Sequence, residues 1–187
     1  MDRSRSIRLE LSHTQSLFHA LAESIVYQQL SGKAAATIFG RVRAIYAPKR
    51  FPTPADLAAT PTERLRAAGL SNAKAAAMID LARRTTSGEL PTLAQLRRLS
   101  DDEVVERLTV VRGIGPWTVH MLMIFRLGRP DVLPVADYGV RKGFALTYRR
   151  QELPTVDELT MHAEKWRPYR SLASWYMWRA LDKDVRT

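Results

Sequence analysis

The sequence contains no cysteine and no long apolar run. Without cysteine there can be no disulfide, thiolate zinc site, cysteine nucleophile or cysteine-held iron–sulfur cluster. No stretch approaches the roughly 20 apolar residues of a membrane span. Residues 1–8 are polar and charged, without the apolar core of a signal peptide. We therefore expect a soluble, cytoplasmic protein.

Acidic residues are few relative to basic ones. The chain has 19 Asp and Glu against 29 Lys and Arg, which gives a net charge of +10. A basic surface binds nucleic acid through release of counterions, whatever the sequence bound. Most of the cations are arginine, which pairs bidentately with phosphate. An arginine-rich composition also arises in GC-rich genomes, so charge favours a nucleic-acid partner without establishing one.

Alternation of apolar and polar residues, the pattern of a strand, is missing as well, and helical periodicity dominates. We predict an all-α fold in a single catalytic domain, residues 1–187. Capping side chains and prolines predict helix starts at Thr53, Thr60, Ser71, Pro91 and Ser100. The longer helices are expected at about 14–30, 34–46, 71–85, 138–147, 156–166 and 168–181.

Residues 108–122, followed by 134–141, form the most informative part of the sequence. They indicate the end of one helix, a tight turn at Gly113, Ile114 and Gly115, and the start of a second helix. Such a turn leaves backbone N–H groups at the helix start, where a phosphate can bind. Asp137 follows after an apolar, helix-length run and a loop with glycine and prolines. A phosphate anchor and a carboxylate thus stand at the two ends of one short unit.

The turn and residues 133–138 resemble the hairpin and catalytic loop of the helix-hairpin-helix DNA glycosylase superfamily, in the same order and at the same spacing. Residues 25–31 and 51–74 are similar to the superfamily's duplex-inserting segment and middle lobe. Residues 166–178 are similar to the C-terminal helix of its 3-methyladenine DNA glycosylase II branch. The resemblance runs from about residue 13 to residue 181. The β-rich N-terminal domain often present in that branch has no counterpart here, which implies a compact, catalytic-domain-only member.

The resemblance implies a two-lobed helical enzyme that acts on damaged double-stranded DNA as a monomer, without an obligate protein partner. One lobe would comprise about residues 1–31 and 131–187. The other would comprise about 32–130, with the helix-hairpin-helix at 104–127. The hairpin and Asp137 would face a cleft between the lobes. In a bacterium, such an enzyme would be associated with the nucleoid.

Asp137 is the expected catalytic residue. As an N-glycosidic bond breaks, a carboxylate can stabilise the positive charge on the sugar and orient or deprotonate the attacking water. An alternative interpretation is that Asp137 caps the helix that begins at Tyr138, and the two roles are compatible. Trp117 stands where bifunctional members of the superfamily have a lysine. The resemblance therefore implies base removal without a Schiff base or strand cleavage.

An extruded base needs an aromatic surface on which to stack. The resemblance implies that Trp117 and Trp178 line the base pocket, and we add Tyr138 and Met121 as candidates. Electron-rich rings favour a cationic, alkylated purine through cation–π attraction. Tryptophans of helical proteins usually belong to the core, and we expect Trp166 and Trp175 to be core or lobe-packing residues.

The hole left by an extruded base must be filled. Gln28, Gln29 and Leu30, at the end of the first helix, are candidates for this duplex wedge, since Leu30 offers apolar volume and an amide can bond the widowed base. Leu30 could equally be a core leucine.

Contacts to the DNA backbone are expected from the hairpin and from nearby cations: Arg112, Gly113, Gly115, Thr118, Arg141, Lys142 and Arg170. The four histidines are scattered, so no side-chain metal site and no catalytic cofactor are expected. In the superfamily, the hairpin often holds one monovalent cation through backbone carbonyls. Here, Na⁺ or K⁺ would be held by Thr109, Val111 and Ile114.

The function that these features favour is monofunctional excision of alkylated bases of the 3-methyladenine and 7-methylguanine type in base excision repair. A first alternative is a glycosylase for a mismatched, oxidised or N1/N3-alkylated base, because Met121 in place of an aromatic residue leaves a roomier site. A second is a non-catalytic helix-hairpin-helix DNA-binding module. Asp137 and the tryptophan-rich C-terminal helix argue against the second.

Overall fold

The computed structural model describes residues 16–184, and these residues are helical without any strand, as predicted. The helices are α1 Leu17–Tyr27, α2 Gly32–Ala44, α3 Pro54–Ala58, α4 Thr62–Ala67, α5 Asn72–Thr86, α6 Leu93–Leu96, α7 Asp101–Thr109, α8 Pro116–Phe125, α9 Tyr138–Thr147, α10 Val156–Ala163 and α11 Arg170–Asp184, with a 3₁₀ turn at Glu164–Trp166. None of them has the length and apolar character needed to cross a bilayer.

Most predicted helix starts are confirmed, and two are corrected. Ser71 and Ser100 cap α5 and α7, and Thr53 caps α3 with a reciprocal capping box. Thr60 caps nothing, because its hydroxyl is hydrogen-bonded to the Tyr46 hydroxyl and the Asp56 carbonyl, and α4 begins after Pro61 without a side-chain cap. The other corrected start is that of α6, which is capped by Thr92 in place of Pro91.

The first helix is shorter than predicted. It ends at Tyr27, because Gln28 leaves the helical conformation and Gln29 has a φ of +56°, in the left-handed region. The expected start, near residue 14, lies outside the described residues.

The chain divides into two compact units, which within the described residues are 16–119 and 120–184. This division differs from the expected lobes. In the structure α1 packs against α2 and α5, so residues 16–31 belong with the middle segment. Residues 120–130 belong with the C-terminal one. Residues 1–15 of the expected first lobe lie outside the described part of the chain.

In the first unit, α5 is the element on which the others assemble. It contacts α1, α3 and α4. Its alanines and its larger apolar side chains are buried together, including Ala75, Ala77, Met78, Leu81 and Ala82. Small side chains along α5 let neighbouring backbones approach closely, while the larger ones fill the core.

In the second unit, α9 and α11 are in unusually close contact. A Cβ atom built on Gly143 would lie 2.0 Å from the backbone carbonyl oxygen of Met177, a distance no side chain can occupy. Around this crossing, Val140, Phe144, Leu159 and Met177 form a buried cluster. The approach of the two helices therefore requires glycine at position 143.

The loop between α8 and α9 is fastened to the start of α11. The Ser171 hydroxyl, which is buried, donates to the Arg129 carbonyl at 2.6 Å and accepts from the Val132 N–H at 2.9 Å. Asp131 pairs with Arg170 at 2.7 Å. Partial burial alone would raise the pKa of Asp131, but hydrogen bonds from Arg170 and its charge outweigh burial and lower this pKa. The loop that leads to Asp137 is thus anchored at residues 129–132, on the N-terminal side of this candidate catalytic residue.

We expect Gly143→Ala to destabilise the protein by about 1–3 kcal/mol, because the added methyl group forces α9 and α11 apart. The measurement is the free energy of unfolding in urea. Gly40→Ala is the matched control, because a Cβ atom at this mid-helix position meets no atom within 4 Å. It should stabilise the chain by roughly 0.5–1 kcal/mol. Equal stabilities of the two variants would contradict the required close approach.

Candidate active site

The hairpin, residues 110–115, connects α7 to α8 in the first unit. Val111 and Ile114 are buried, and the Ile114 N–H donates to the Val111 carbonyl at 3.0 Å to close the turn. Gly113 has a φ of +76°, and a Cβ atom there would stand 3.4 Å from that of Ala77. Both the left-handed backbone and the contact with α5 favour glycine at this position. The expected tight turn is confirmed.

The first turn of α8 is the candidate phosphate site. Backbone N–H groups at a helix start have no partner within the helix and lie at the positive end of its dipole. The Thr118 side chain is buried here, and the Arg112 side chain is exposed beside it in sequence. These features suit an anion, as the sequence predicts.

The wedge loop, residues 28–30, follows α1. The Gln28 amide donates to the carbonyl of Gly113 at 2.9 Å and to the Thr118 hydroxyl at 3.4 Å. Gln29 is exposed, and Leu30 keeps 39% of its surface exposed, which excludes the core interpretation of Leu30. The Gln28 amide nitrogen thus binds the hairpin, while Gln29 and Leu30 present the outward side chains of the loop.

Asp137 caps α9 and binds a tryptophan with the same oxygen. Its Oδ1 accepts the Val140 backbone N–H at 2.7 Å and the Trp178 indole N–H at 2.8 Å. The capping interpretation is therefore confirmed, and it does not exclude a catalytic one. Two donors on one oxygen fix the plane of the carboxylate, which is the pre-organisation that charge stabilisation needs.

Gly139 makes the contact between Trp178 and Asp137 sterically possible. A Cβ atom at Gly139 would lie 2.8 Å from Cδ1 and 3.0 Å from Nε1 of Trp178, and 3.1 Å from Oδ1 of Asp137. On its other side, the half-buried indole lies 5.7 Å from the Phe125 ring, centroid to centroid. Sequence reasoning missed this hydrogen bond between distant residues. The two glycines one helical turn apart, Gly139 and Gly143, were the available signal of a close helix crossing.

The other aromatic candidates differ in exposure. Trp117 is 48% exposed and Tyr138 is 63% exposed, so neither is a core residue. Met121 lies one turn after Trp117 on α8 and is partly buried. Trp166 packs against the cluster around Phe144, as expected. Trp175 is only partly buried, and the Arg179 guanidinium lies 5.5 Å from the centroid of its ring.

The predicted backbone-binding cations divide into two groups. Arg170 forms its ion pair with Asp131, with only 15% of its side chain exposed. The Nε of Arg141 donates to the Pro154 carbonyl. We therefore assign Arg170 and Arg141 to the fold. Arg112 and Lys142 are exposed, and their contact with the DNA backbone stays a prediction.

Among the described residues, no group of three His, Cys, Asp or Glu side chains could hold a metal ion. The backbone offers a different donor set. α7 ends at Thr109, so its last carbonyls lie at the negative end of the helix dipole, next to the hairpin that contains Val111 and Ile114. Carbonyl oxygens are suitable ligands for Na⁺ or K⁺, and a cation held by Thr109, Val111 and Ile114 stays a prediction.

The hairpin and the capping aspartate both lie within residues 22–168, the part of the chain that matches a known family model described as HhH-GPD superfamily base excision DNA repair protein. The chain belongs to the HhH-GPD superfamily. This membership confirms the resemblance on which the fold and the site residues were predicted.

Individual proteins and solved structures also match over most of the chain. DNA-3-methyladenine glycosylase 1 of Schizosaccharomyces pombe is 40% identical over 162 residues, which are 87% of this chain and 71% of that protein. A solved structure of an S. pombe 3-methyladenine DNA glycosylase in complex with abasic DNA has a TM-score of 0.80 at 37% identity, covering 93% of this chain and 84% of the other. A DNA-3-methyladenine glycosidase structure from Bacillus halodurans has a TM-score of 0.85 at 35% identity, covering 96% and 81%.

We expect Gly139→Ala to separate the Trp178 indole from Asp137, because the new Cβ atom would occupy the position of the ring edge. Hydrogen exchange of the Trp178 indole N–H, followed by NMR, should accelerate about tenfold on losing this bond to a charged acceptor. Trp178→Phe identifies the signal, and Gly40→Ala should leave it unchanged. An exchange rate equal to that of the wild type would contradict the assigned contact.

Proposed function

We propose that this chain is a monofunctional DNA glycosylase that removes alkylated bases of the 3-methyladenine and 7-methylguanine type from duplex DNA. The observation that carries the proposal is the Asp137 carboxylate, fixed by Val140 and Trp178, in a chain 40% identical to a DNA-3-methyladenine glycosylase. A module that only bound DNA would need the hairpin but not an aspartate oriented by an indole.

The proposed reaction is hydrolysis of the N-glycosidic bond. The bond between the sugar C1′ and the base nitrogen breaks, and its electron pair leaves with the base. A purine alkylated at N3 or N7 already carries a positive charge, so it departs neutral without a second acid. The negative charge of Asp137 stabilises the cationic sugar. Water then bonds to C1′, and Asp137 takes its proton.

Base recognition is assigned to aromatic side chains. Trp117 and Tyr138 expose rings on which a base can stack, at roughly 1–3 kcal/mol per base. A tryptophan face attracts a cationic base more strongly than a neutral one, which gives a physical reason for selecting alkylated purines. The assignment of Trp117, Tyr138, Trp178 and Met121 to base binding stays a prediction.

Damaged double-stranded DNA is the proposed partner, bound by a monomer in the cytoplasm, at the nucleoid in a bacterium. The hairpin and α8 start would hold a phosphate through Gly113, Gly115 and Thr118, with Arg112 and Lys142 nearby on the backbone. The carbonyls of Thr109, Val111 and Ile114 would hold Na⁺ or K⁺. Such an ion adds positive field at the hairpin that favours the phosphate.

Asp137→Asn removes the negative charge but keeps an oxygen that can accept from Val140 and Trp178. We therefore expect an unchanged fold and DNA affinity, with the single-turnover excision rate at least about 100-fold lower. The substrate is a duplex oligonucleotide containing 7-methylguanine. Asp157→Asn, a charge change in the exposed first turn of α10, is the control and should excise at the wild-type rate. Undiminished excision by Asp137→Asn would remove this carboxylate from the mechanism.

A monofunctional enzyme leaves an abasic site in an intact strand. Trp117 stands where bifunctional members of the superfamily have a lysine nucleophile. We therefore expect no strand cleavage until alkali is added and no covalent adduct after borohydride treatment. Denaturing gel electrophoresis of the reacted duplex measures both. A trapped protein–DNA adduct would contradict the assignment.

A further inference from the structure

One face of α5 supports both the wedge loop and the hairpin. Lys74 reaches the wedge loop, Ala77 lies beneath Gly113, and Asp80 reaches the backbone of Arg112. The spacing of three residues between these positions keeps them on one side of the helix. All of these contacts are made within the first unit.

Lys74 caps the end of α1 from a distance. Its ammonium group donates to the carbonyls of Val26 and Gln28, both at 2.7 Å. The last turn of α1 has no basic residue of its own, so Lys74 supplies the positive charge that a helix C-terminus favours. Burial lowers the pKa of Lys74, in keeping with an amine enclosed by its carbonyl partners.

The carbonyl of Gln28 directly precedes Gln29, whose left-handed φ of +56° costs free energy in a residue with a side chain. Such a conformation persists only where neighbouring contacts hold it. Lys74 binds the backbone before this turn, and the Gln28 amide binds Gly113 in the hairpin. The direction in which Gln29 and Leu30 project therefore depends on Lys74.

Asp80 performs the corresponding task for the hairpin. Its Oδ2 accepts the Arg112 backbone N–H at 2.8 Å, and Arg84 pairs with the same carboxylate at 3.0 Å. A charged acceptor forms a stronger hydrogen bond than a neutral one. The turn that offers N–H groups to a phosphate is thus fixed at Arg112 by α5.

We propose that α5 sets the position of the wedge loop relative to the hairpin, with Lys74 and Asp80 as positioning residues for binding of lesion-containing DNA. The inference rests on the proposed function, because it takes residues 28–30 as the segment that enters the duplex. Lys74 then governs preference for DNA with a missing base, whereas Asp80 governs affinity for any duplex.

The test measures binding to two duplexes of the same sequence, one intact and one with a tetrahydrofuran abasic analogue, by fluorescence anisotropy at fixed salt. Neither duplex requires excision, so positioning is measured separately from catalysis. Lys74→Met is compared with Lys165→Met, which removes the same charge at an exposed position in the 3₁₀ turn. Asp80→Asn is compared with Asp102→Asn, an exposed aspartate in the first turn of α7. Melting temperatures are recorded for all four variants.

We expect Lys74→Met to reduce the preference for the abasic duplex about tenfold, since it removes two charge-assisted hydrogen bonds from the wedge loop. Lys165→Met should keep the wild-type preference. Asp80→Asn should weaken binding to both duplexes about fivefold, although it makes the protein more positive and electrostatics alone would strengthen binding. Asp102→Asn, with the same charge change, should show no such loss.

The inference is overturned if Lys74→Met keeps the wild-type preference, if Lys165→Met loses as much, or if Asp80→Asn binds as well as Asp102→Asn. If Lys74→Met and Asp80→Asn both bind the intact and the abasic duplex more weakly to the same extent, the cause is general destabilisation, and the inference is also overturned. If Lys74→Met does not fold, the comparison of Asp80→Asn with Asp102→Asn decides. A wild type that prefers the abasic duplex but excises nothing would remove the proposed function and leave the positioning role intact.

Discussion

Oδ1 of Asp137 accepts a backbone N–H of its own helix and the indole N–H of Trp178 from another helix. This shared oxygen can exist only because α9 and α11 approach closely, with glycine at positions 139 and 143 where any side chain would collide. The buried cluster around Phe144 and the anchored loop before Asp137 hold that crossing in place. The second unit is thus organised so that one carboxylate has a single orientation.

The first unit contains the features to which DNA binding is assigned in the proposed function. Its hairpin presents a helix start, and its wedge loop presents exposed side chains beside an amide that is bound to the hairpin. Phosphate contacts fix register on a duplex but carry no information about damage. In the proposed function, discrimination depends on extrusion of the base and on the aromatic surface on which a cationic base would stack.

Local sequence signals predicted the helices well, because capping side chains, glycine and proline act within a few residues. Helix α9 begins and ends where the sequence predicts, and the predicted tight turn is present, with a left-handed backbone at Gly113. The sequence also indicated Asp137 directly as the candidate catalytic residue.

The sequence could not reveal that Trp178 binds Asp137, that Lys74 caps α1, or that Arg170 forms an ion pair with Asp131, because each contact joins residues far apart in the chain. The exposure of Leu30 likewise excludes the core role that its sequence position had left open, while its role as a duplex wedge stays a prediction.

Family membership, the fixed carboxylate and the exposed aromatic rings point to one chemical outcome, a free base and an intact strand with an abasic site. The most direct measurement is chromatography of the bases released when the wild-type chain is incubated with methylated duplex DNA. The account predicts free 3-methyladenine and 7-methylguanine above the spontaneous rate. Binding of the methylated duplex without release of either base would contradict it.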